Sequence, residues 1–314
     1  MCNCSLLFVG KRFFQTLLLS LALVLCPAIQ AADEPVLAII SVAGKRGVPP
    51  IFEDIVKGVE AGFSGKVKNY ALKAGFSESR LQDDLRSDGV TGVVVLGGSG
   101  RKVAAMLSSE YPVVMGAVSS VPVEGVGAVV LQPSSEVVFD YLNKLAPDVS
   151  ALHLIYDPKK HQAALSSAEK SSAPVKIDVL PHASSQSKHT QKAIEDSLSS
   201  DVNARSAIWV MLGTKFDTAI KENLIKNSWG QPVVPFHYTV NSKDVELFPF
   251  ILLPDWQGLG QQLAEMSSQR LNGQSAQVAE LQSVKLWVNQ KKSRHFGLKL
   301  DGDIRKKIDF TFRD

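Results

Sequence analysis

Past position 26 this chain contains no cysteine; its three are Cys2, Cys4 and Cys26. If the leader that carries them is removed, the remainder can form no disulfide, thiolate metal site or thiol nucleophile. A chain of 314 residues can bury enough apolar surface without such staples. An excess of one charge is also missing. Without Lys11 and Arg12, 32 basic residues stand against 31 acidic ones, a net charge of +1. A nucleic-acid binder advertises a basic excess, so that class is set aside. After residue 32 no apolar run reaches the roughly 20 residues a spanning helix needs. Catalytic and metal signatures are lacking too. His153, His161, His182, His189, His237 and His295 are scattered, and no pair has the His-x3-His spacing with an intervening acid. Ser166 and Ser167 have no Gly-x-Ser-x-Gly frame. Neither an enzyme nor a cofactor is therefore expected.

What is present begins with a leader. Lys11 and Arg12 precede an apolar run from Phe13 to Cys26, which holds Gln15, Thr16 and Ser20. Pro27 and the stretch Ala28-Ile29-Gln30-Ala31-Ala32 follow. A basic start, a short apolar middle and a small-residue exit describe a secretory signal peptide over residues 1–31, cut after Ala31. Leu25 before Cys26 is not the small residue that lipid attachment needs. The expectation is an exported, periplasmic protein.

Apolar strand patterns then alternate with helical ones. Val36 to Ile40, Gly92 to Leu96, Pro112 to Met115 and Gly127 to Leu131 read as strands. Ile51, Ile55, Val59 and Phe63 recur at helical spacing, as do Val103, Ala104 and Leu107; Leu72 to Leu85 is ambiguous. The rhythm resumes with strands at Ala151 to Tyr156, Val175 to Leu180, Ala207 to Leu212, Val233 to Phe236 and Phe248 to Leu253. Helices are expected at Lys160 to Lys170, Thr190 to Leu198, Thr214 to Lys226 and Asp255 to Leu271. Strands alternating with helices imply parallel sheets covered on both faces. The predicted class is α/β, with two doubly wound parallel-sheet lobes.

The segment Leu286-Trp287-Val288-Asn289 through Gly297-Leu298, the helix Asp255 to Gly273, Val93 to Ala105, and Leu145-Ala146-Pro147 before Leu154-Ile155-Tyr156 carry a likeness. On these the chain resembles the substrate-binding proteins of ABC transporters with the type I periplasmic binding fold, in the tryptophan- and tyrosine-binder-like subgroup. The resemblance implies lobe one at residues 33–131 plus 254–283, lobe two at 132–253 plus 284–314, and a multi-crossing hinge. It also implies a small-molecule ligand, an ABC permease partner and a monomer. The same fold could instead present its ligand to a membrane-bound sensor kinase or cyclase. One departure stands out: where the family reads Ser-Asp-Pro, this chain reads Val118-Ser119-Ser120-Val121-Pro122, so a carboxylate for a ligand amine is missing there.

In open parallel sheets ligands bind beyond the carboxyl ends of strands. That rule selects Ser41, Gly98, Ser99, Ser119 and Ser120 in the first unit, and Tyr156, Asp157, Thr214, His237 and Tyr238 in the second. Asp255 and Trp256 stand at a crossover. The glycines of Gly97-Gly98-Ser99-Gly100 allow close backbone approach to a ligand, or simply a tight turn. The spacing is neither a P-loop nor a dinucleotide fingerprint. Trp256 and Tyr238 could stack on a flat ligand, and Asp157 or Asp255 could hold a cation. Asp255 equally suits a helix N-cap, and Trp256 packing under a hinge. Lys45 and Arg46 could reach a ligand carboxylate or lie in a solvated loop. Trp209 and Trp287 are expected in the core.

Overall fold

A computed structural model describes residues 34–44, 47–119, 123–170, 177–199 and 205–313. The expected signal peptide, the three cysteines, Lys45, Arg46 and Ser120 lie outside the described residues. The described residues from Val36 onward belong to one compact unit.

The order begins β1 (Val36–Val42), α1 (Ile51–Gly62), β2 (Lys66–Leu72), α2 (Glu78–Ser87), β3 (Gly92–Leu96), α3 (Arg101–Leu107), β4 (Val113–Val118) and β5 (Gly127–Pro133). It continues α4 (Ser135–Leu145), β6 (Val149–Tyr156), α5 (Pro158–Lys170), β7 (Asp178–Ala183), α6 (Ser187–Leu198), β8 (Arg205–Val210), α7 (Thr218–Ser228) and β9 (Val233–Tyr238). It ends β10 (Phe250–Pro254), α8 (Trp256–Leu271), β11 (Val278–Leu281), β12 (Val284–Asn289), α9 (Gln290–His295), α10 (Gly302–Lys306) and β13 (Ile308–Phe312). Two sheets result. The first runs β11-β5-β4-β3-β1-β2 and is parallel throughout. The second runs β13-β12-β10-β9-β8-β6-β7, with only the β10–β12 pair antiparallel. The expected α/β class with two mostly parallel sheets is what the chain forms.

Continuous apolar strands explain the layering, because a strand sends alternate side chains to opposite faces. Leu37 and Ile39 of β1 join one core with Phe52, Ile55 and Leu263, while Val36, Ala38 and Ile40 join another with Leu81 and Leu85. In the second sheet Trp209, Phe236 and Tyr238 face α4 and α5, and Ile208 and Val210 face α6 and α7. Trp209 is fully buried, as expected, and stacks on Phe236 at 6.1 Å. Trp287 differs from expectation: it is half-buried, lying against Phe310 at 4.5 Å and the margin of the core that holds Val245, Phe248 and Ile251.

Helices α1 and α8 cross in close contact. A Cβ on Gly260 would stand 2.2 Å from the Ile55 carbonyl oxygen, and one on Gly58 2.1 Å from that of Gln257. Only glycine lets the two backbones approach this closely, and both helices begin at the carboxyl end of the first sheet. The chain passes between the sheets three times: β5 to α4, β10 to α8, and β11 to β12.

Some elements depart from the sequence reading. The ambiguous region Leu72 to Leu85 holds only the last residue of the polar strand β2 and then most of helix α2, and β11 pairs with β5 although its four residues carry little pattern. Helix α7 starts at Thr218 rather than Thr214, because the Asp217 side chain caps it by accepting from the Ile220 N–H at 3.1 Å. Among the described residues no helix is long and apolar enough to cross a membrane.

Candidate functional site

The carboxyl ends of β1, β3 and β4 converge on a cavity of about 640 Å³. After β1, Gly44 and Gly47 exchange backbone hydrogen bonds of 3.2 and 3.1 Å. After β3, Gly97 takes a φ of 77°, and a Cβ there would lie 2.9 Å from Phe52 Cζ. Glycine is therefore needed for conformation and for room. Its N–H donates to the Gly116 carbonyl at 2.8 Å, which ties the loop to β4. Gly98–Gly100 then makes a short 3-10 turn into α3, with the Cβ position of Gly98 facing open space. At the end of β4, Ala117 sits at φ 55°, the only described non-glycine residue with positive φ, beside a register shift between Met115 and Val118. A left-handed alanine costs roughly 1–2 kcal/mol. Strain of this kind gathers where surrounding structure dictates the backbone, as it does at this cavity wall.

Ile51 and Phe52 from α1, Leu131 from β5 and Trp256 from α8 complete this wall. Val240, beyond β9, faces it from the second sheet's side. The side chains are apolar apart from the Ser99 hydroxyl and the indole N–H of Trp256, and no charged side chain lines the cavity among the described residues. Such a surface is chemically suited to an apolar or ring-bearing molecule, with polar groups confined to Ser99, the Trp256 indole N–H and the backbone.

The crossing at Asp255 is built differently from the expected cap. Asp255 occupies the N-cap position of α8, but its side chain makes no cap bond. Its carboxylate instead accepts the Ser283 hydroxyl at 2.8 Å, with Lys285 Nζ at 3.9 Å, so it joins two of the crossings.

The carboxyl ends of the second sheet are polar and already bonded. Asp157 Oδ2 lies 3.0 Å from Lys160 Nζ, and Oδ1 accepts the Lys159 N–H at 3.0 Å. Burial works against the Asp157 charge, yet these two groups outweigh it and hold the carboxyl below its ordinary value. His161 accepts the Asp157 N–H at Nδ1 (3.0 Å) and faces the Leu212 carbonyl at Nε2 (2.9 Å). The carbonyl cannot donate, so Nε2 carries the proton and the ring is neutral. Burial keeps its pKa below the ordinary value. Lys160 also donates to the Gly213 carbonyl at 3.0 Å. The loops after β6 and β8 are thereby tied together.

Thr214, in the second of these loops, is half-buried and its hydroxyl has no partner. His237 is buried beside a Lys221–Asp244 ion pair of 2.8 Å, with Nε2 3.5 Å from the Asp244 carboxylate. Burial, reinforced by Lys221, pushes its pKa well down. Tyr238 is fully buried in the core, and its hydroxyl donates to the Leu131 carbonyl, a bond from the second sheet to the first.

Of the residues selected from sequence, Gly98, Ser99 and Trp256 meet at the large cavity. Ser119 lines a smaller one of about 450 Å³ with Lys160 and His161. Ser41 is buried at the end of β1, and Tyr156 is half-buried against the core. Asp157, Thr214, His237, Tyr238, Asp255 and Ser41 line neither cavity. Phe52, Ala117, Leu131 and Val240 were missed. Phe52 adjoins the helical stripe begun by Ile51, which was a usable signal; an alanine in a strand carries none.

The two-sheet, three-crossing architecture can be compared with solved structures. The ligand-free, open form of CD0873, a substrate-binding protein with adhesive properties from Clostridium difficile, matches over 89% of this chain and 100% of its own, at 15% identity and TM-score 0.56. A chain of a XylFII–LytSN complex matches over 83% and 100%, at 15% identity and TM-score 0.53. The fold is that of the type I periplasmic binding proteins. An ABC domain in complex with L-Trp from Streptococcus pneumonia covers 88% of this chain at 16% identity and TM-score 0.46. No family model and no curated protein matches this sequence.

Proposed function

We propose that this is a periplasmic solute-binding protein that captures a small organic ligand between two lobes and hands it to an ABC importer. The lobes are residues 33–131 plus 254–283 and 132–253 plus 284–314, hinged at the three crossings. The observation that carries this reading is the cavity at the carboxyl ends of β1, β3 and β4, walled by Phe52, Trp256 and the Gly97–Ser99 loop and faced by Val240. Its position is the one that open parallel sheets reserve for ligands. The protein performs no chemistry; binding energy is used to favour the closed arrangement. The ligand has an apolar or ring-shaped body with few hydrogen-bonding groups, because the Ser99 hydroxyl and the Trp256 indole N–H are the only polar side-chain groups among the described residues of the wall. An amino-acid-like compound would need an acidic partner from the second lobe, where Asp157 is already committed to Lys160.

Sensing is the second reading: this fold occurs in the XylFII–LytSN complex, bound to another protein. Native mass spectrometry of the purified protein tests the main reading. A co-purified organic molecule of low polarity, displaced when Trp256 is replaced by alanine, is the expected result. A ligand that stays bound with full affinity to Trp256→Ala counts against the site.

A further inference from the structure

Helices α2 and α3 cover one face of the first sheet over β1, β3 and β4. Among the described residues no helix separates β4 from β5, and at the β5–β11 edge that face meets α5 of the other half. Helix α5 reaches it: Ser167 Oγ donates to Glu280 Oε2 at 3.4 Å. Beneath lies the second cavity, of about 450 Å³.

Two polar groups in its wall have no adequate partner. Gln132 is 8% exposed, and both its amide nitrogen and its amide oxygen are buried and unpaired. A buried amide with neither bond made is costly unless something occupies the space beside it. Glu280 has no cationic partner among the described residues, and its carboxyl is pushed up to about 7 by burial, with Ser167 opposing and Glu136 adding repulsion. The other ionisable groups of the wall are spent: Lys160 is held by Asp157 and the Gly213 carbonyl, and His161 is bonded at both nitrogens. An anion would meet Glu280 with nothing free to balance it. A cation would find one carboxylate and one amide oxygen.

We infer that this lateral cavity is a second binding site, for a small ammonium-bearing solute with a neighbouring hydroxyl or carbonyl. The ammonium donates to Glu280 and to Gln132 Oε1, and Gln132 Nε2 donates to the ligand's oxygen. Val130 and Ala164 receive its carbon body, and Val278, 47% exposed, marks the way in. This site stands apart from the cavity at Trp256 and does not depend on what that cavity holds.

Titration calorimetry with ethanolamine, and with ethylene glycol as its amine-free counterpart, tests the assignment in two buffers of different ionisation enthalpy. Ethanolamine should bind at least about tenfold more tightly than ethylene glycol, and Glu280→Gln and Gln132→Leu should each weaken it about tenfold. An ammonium beside Glu280 lowers its pKa, so binding near pH 7 should release protons and give a buffer-dependent enthalpy. That dependence should vanish in alkaline buffer, where the carboxyl is already ionised. Trp256→Ala should leave the ethanolamine titration unchanged, which separates this site from the other cavity. Absence of heat with millimolar ethanolamine (a cavity filled by water alone), equal binding to Glu280→Gln, or binding without proton release would each overturn the inference. If the glutamate variant does not fold, Gln132→Leu and the proton count decide it.

Discussion

At the rim of the first sheet the chain leaves Gly98 and Ser99 open beside Phe52 and Trp256. At the rim of the second, Asp157, Lys160 and His161 are bonded to one another and to the neighbouring loop, and Lys221, His237 and Asp244 gather behind β9. One rim keeps an apolar surface available; the other uses polar side chains to hold its own loops in place. Histidine divides the same way. All six lie in residues 132–253 or 284–314, and the segments that build the first sheet have none. The lesson is that a polar residue at a strand end is not thereby a ligand contact, because loop positioning competes for it.

Several changes would break or sharpen this contrast. The largest effect is expected from Lys221→Met, which strands the Asp244 carboxylate in a buried site with only the Thr239 and Asn241 side chains and a neutral His237 beside it. Leaving one buried charge uncompensated costs about 3–5 kcal/mol, readable by chemical denaturation. If the loss were below 1 kcal/mol on the order expected of a surface pair, the second rim would not depend on its ion pair. Next is Gly260→Ala. The new methyl meets the Ile55 carbonyl, and forcing α1 from α8 should cost about 3 kcal/mol. It should also weaken ligand binding, since Phe52 and Trp256 ride on those helices. Trp256→Ala should lower affinity for the co-purified ligand by about tenfold or more while Trp209→Phe affects only stability. Equal affinities for the two variants would remove Trp256 from the site.

Acid offers a milder test. Burial holds His153 at about 4 and keeps His161, His182 and His237 below histidine's ordinary value of 6.5. Unfolding frees these rings, so from 6.5 down to about 4 the unfolded chain binds more protons than the folded one. Their contribution is therefore complete above 6.5 and is lost as the pH falls, through about 4 for His153 and about 3 for His237. Proteolysis by an acid protease, mapped by mass spectrometry, should cut within β6 to β9 before β1 to β4. The reverse order would mean that histidine placement does not govern acid stability. The smallest effect is expected for Ala117→Gly, which relieves the positive φ but adds backbone entropy to the unfolded chain. A gain below about 1 kcal/mol should appear in the thermal midpoint.

The sequence carried the two-sheet architecture plainly, because runs such as Val36-Leu37-Ala38-Ile39-Ile40 leave no polar face and must be buried on both sides. It also marked Gly98, Ser99 and Trp256, which sit at strand ends or crossings where the chain turns. It could not mark Val240 or Leu131, whose place in the wall comes from opposing sheets. Nor could it separate Tyr238, whose ring is core and whose hydroxyl reaches Leu131, from a stacking residue, because a strand's last residue can point to either face.

By itself, then, the order of residues determined which segments became strands and helices and which loops stand at the carboxyl ends, since hydrophobic periodicity and glycine act over a few neighbours. Only the tertiary structure decided that Asp255 binds Ser283 instead of capping its helix, that Asp157 is spent on Lys160, and that Gln132 and Glu280 share a wall with helix α5. A polar group's role is set by whichever partner comes nearest, and those partners arrive from strands and helices far away in the chain.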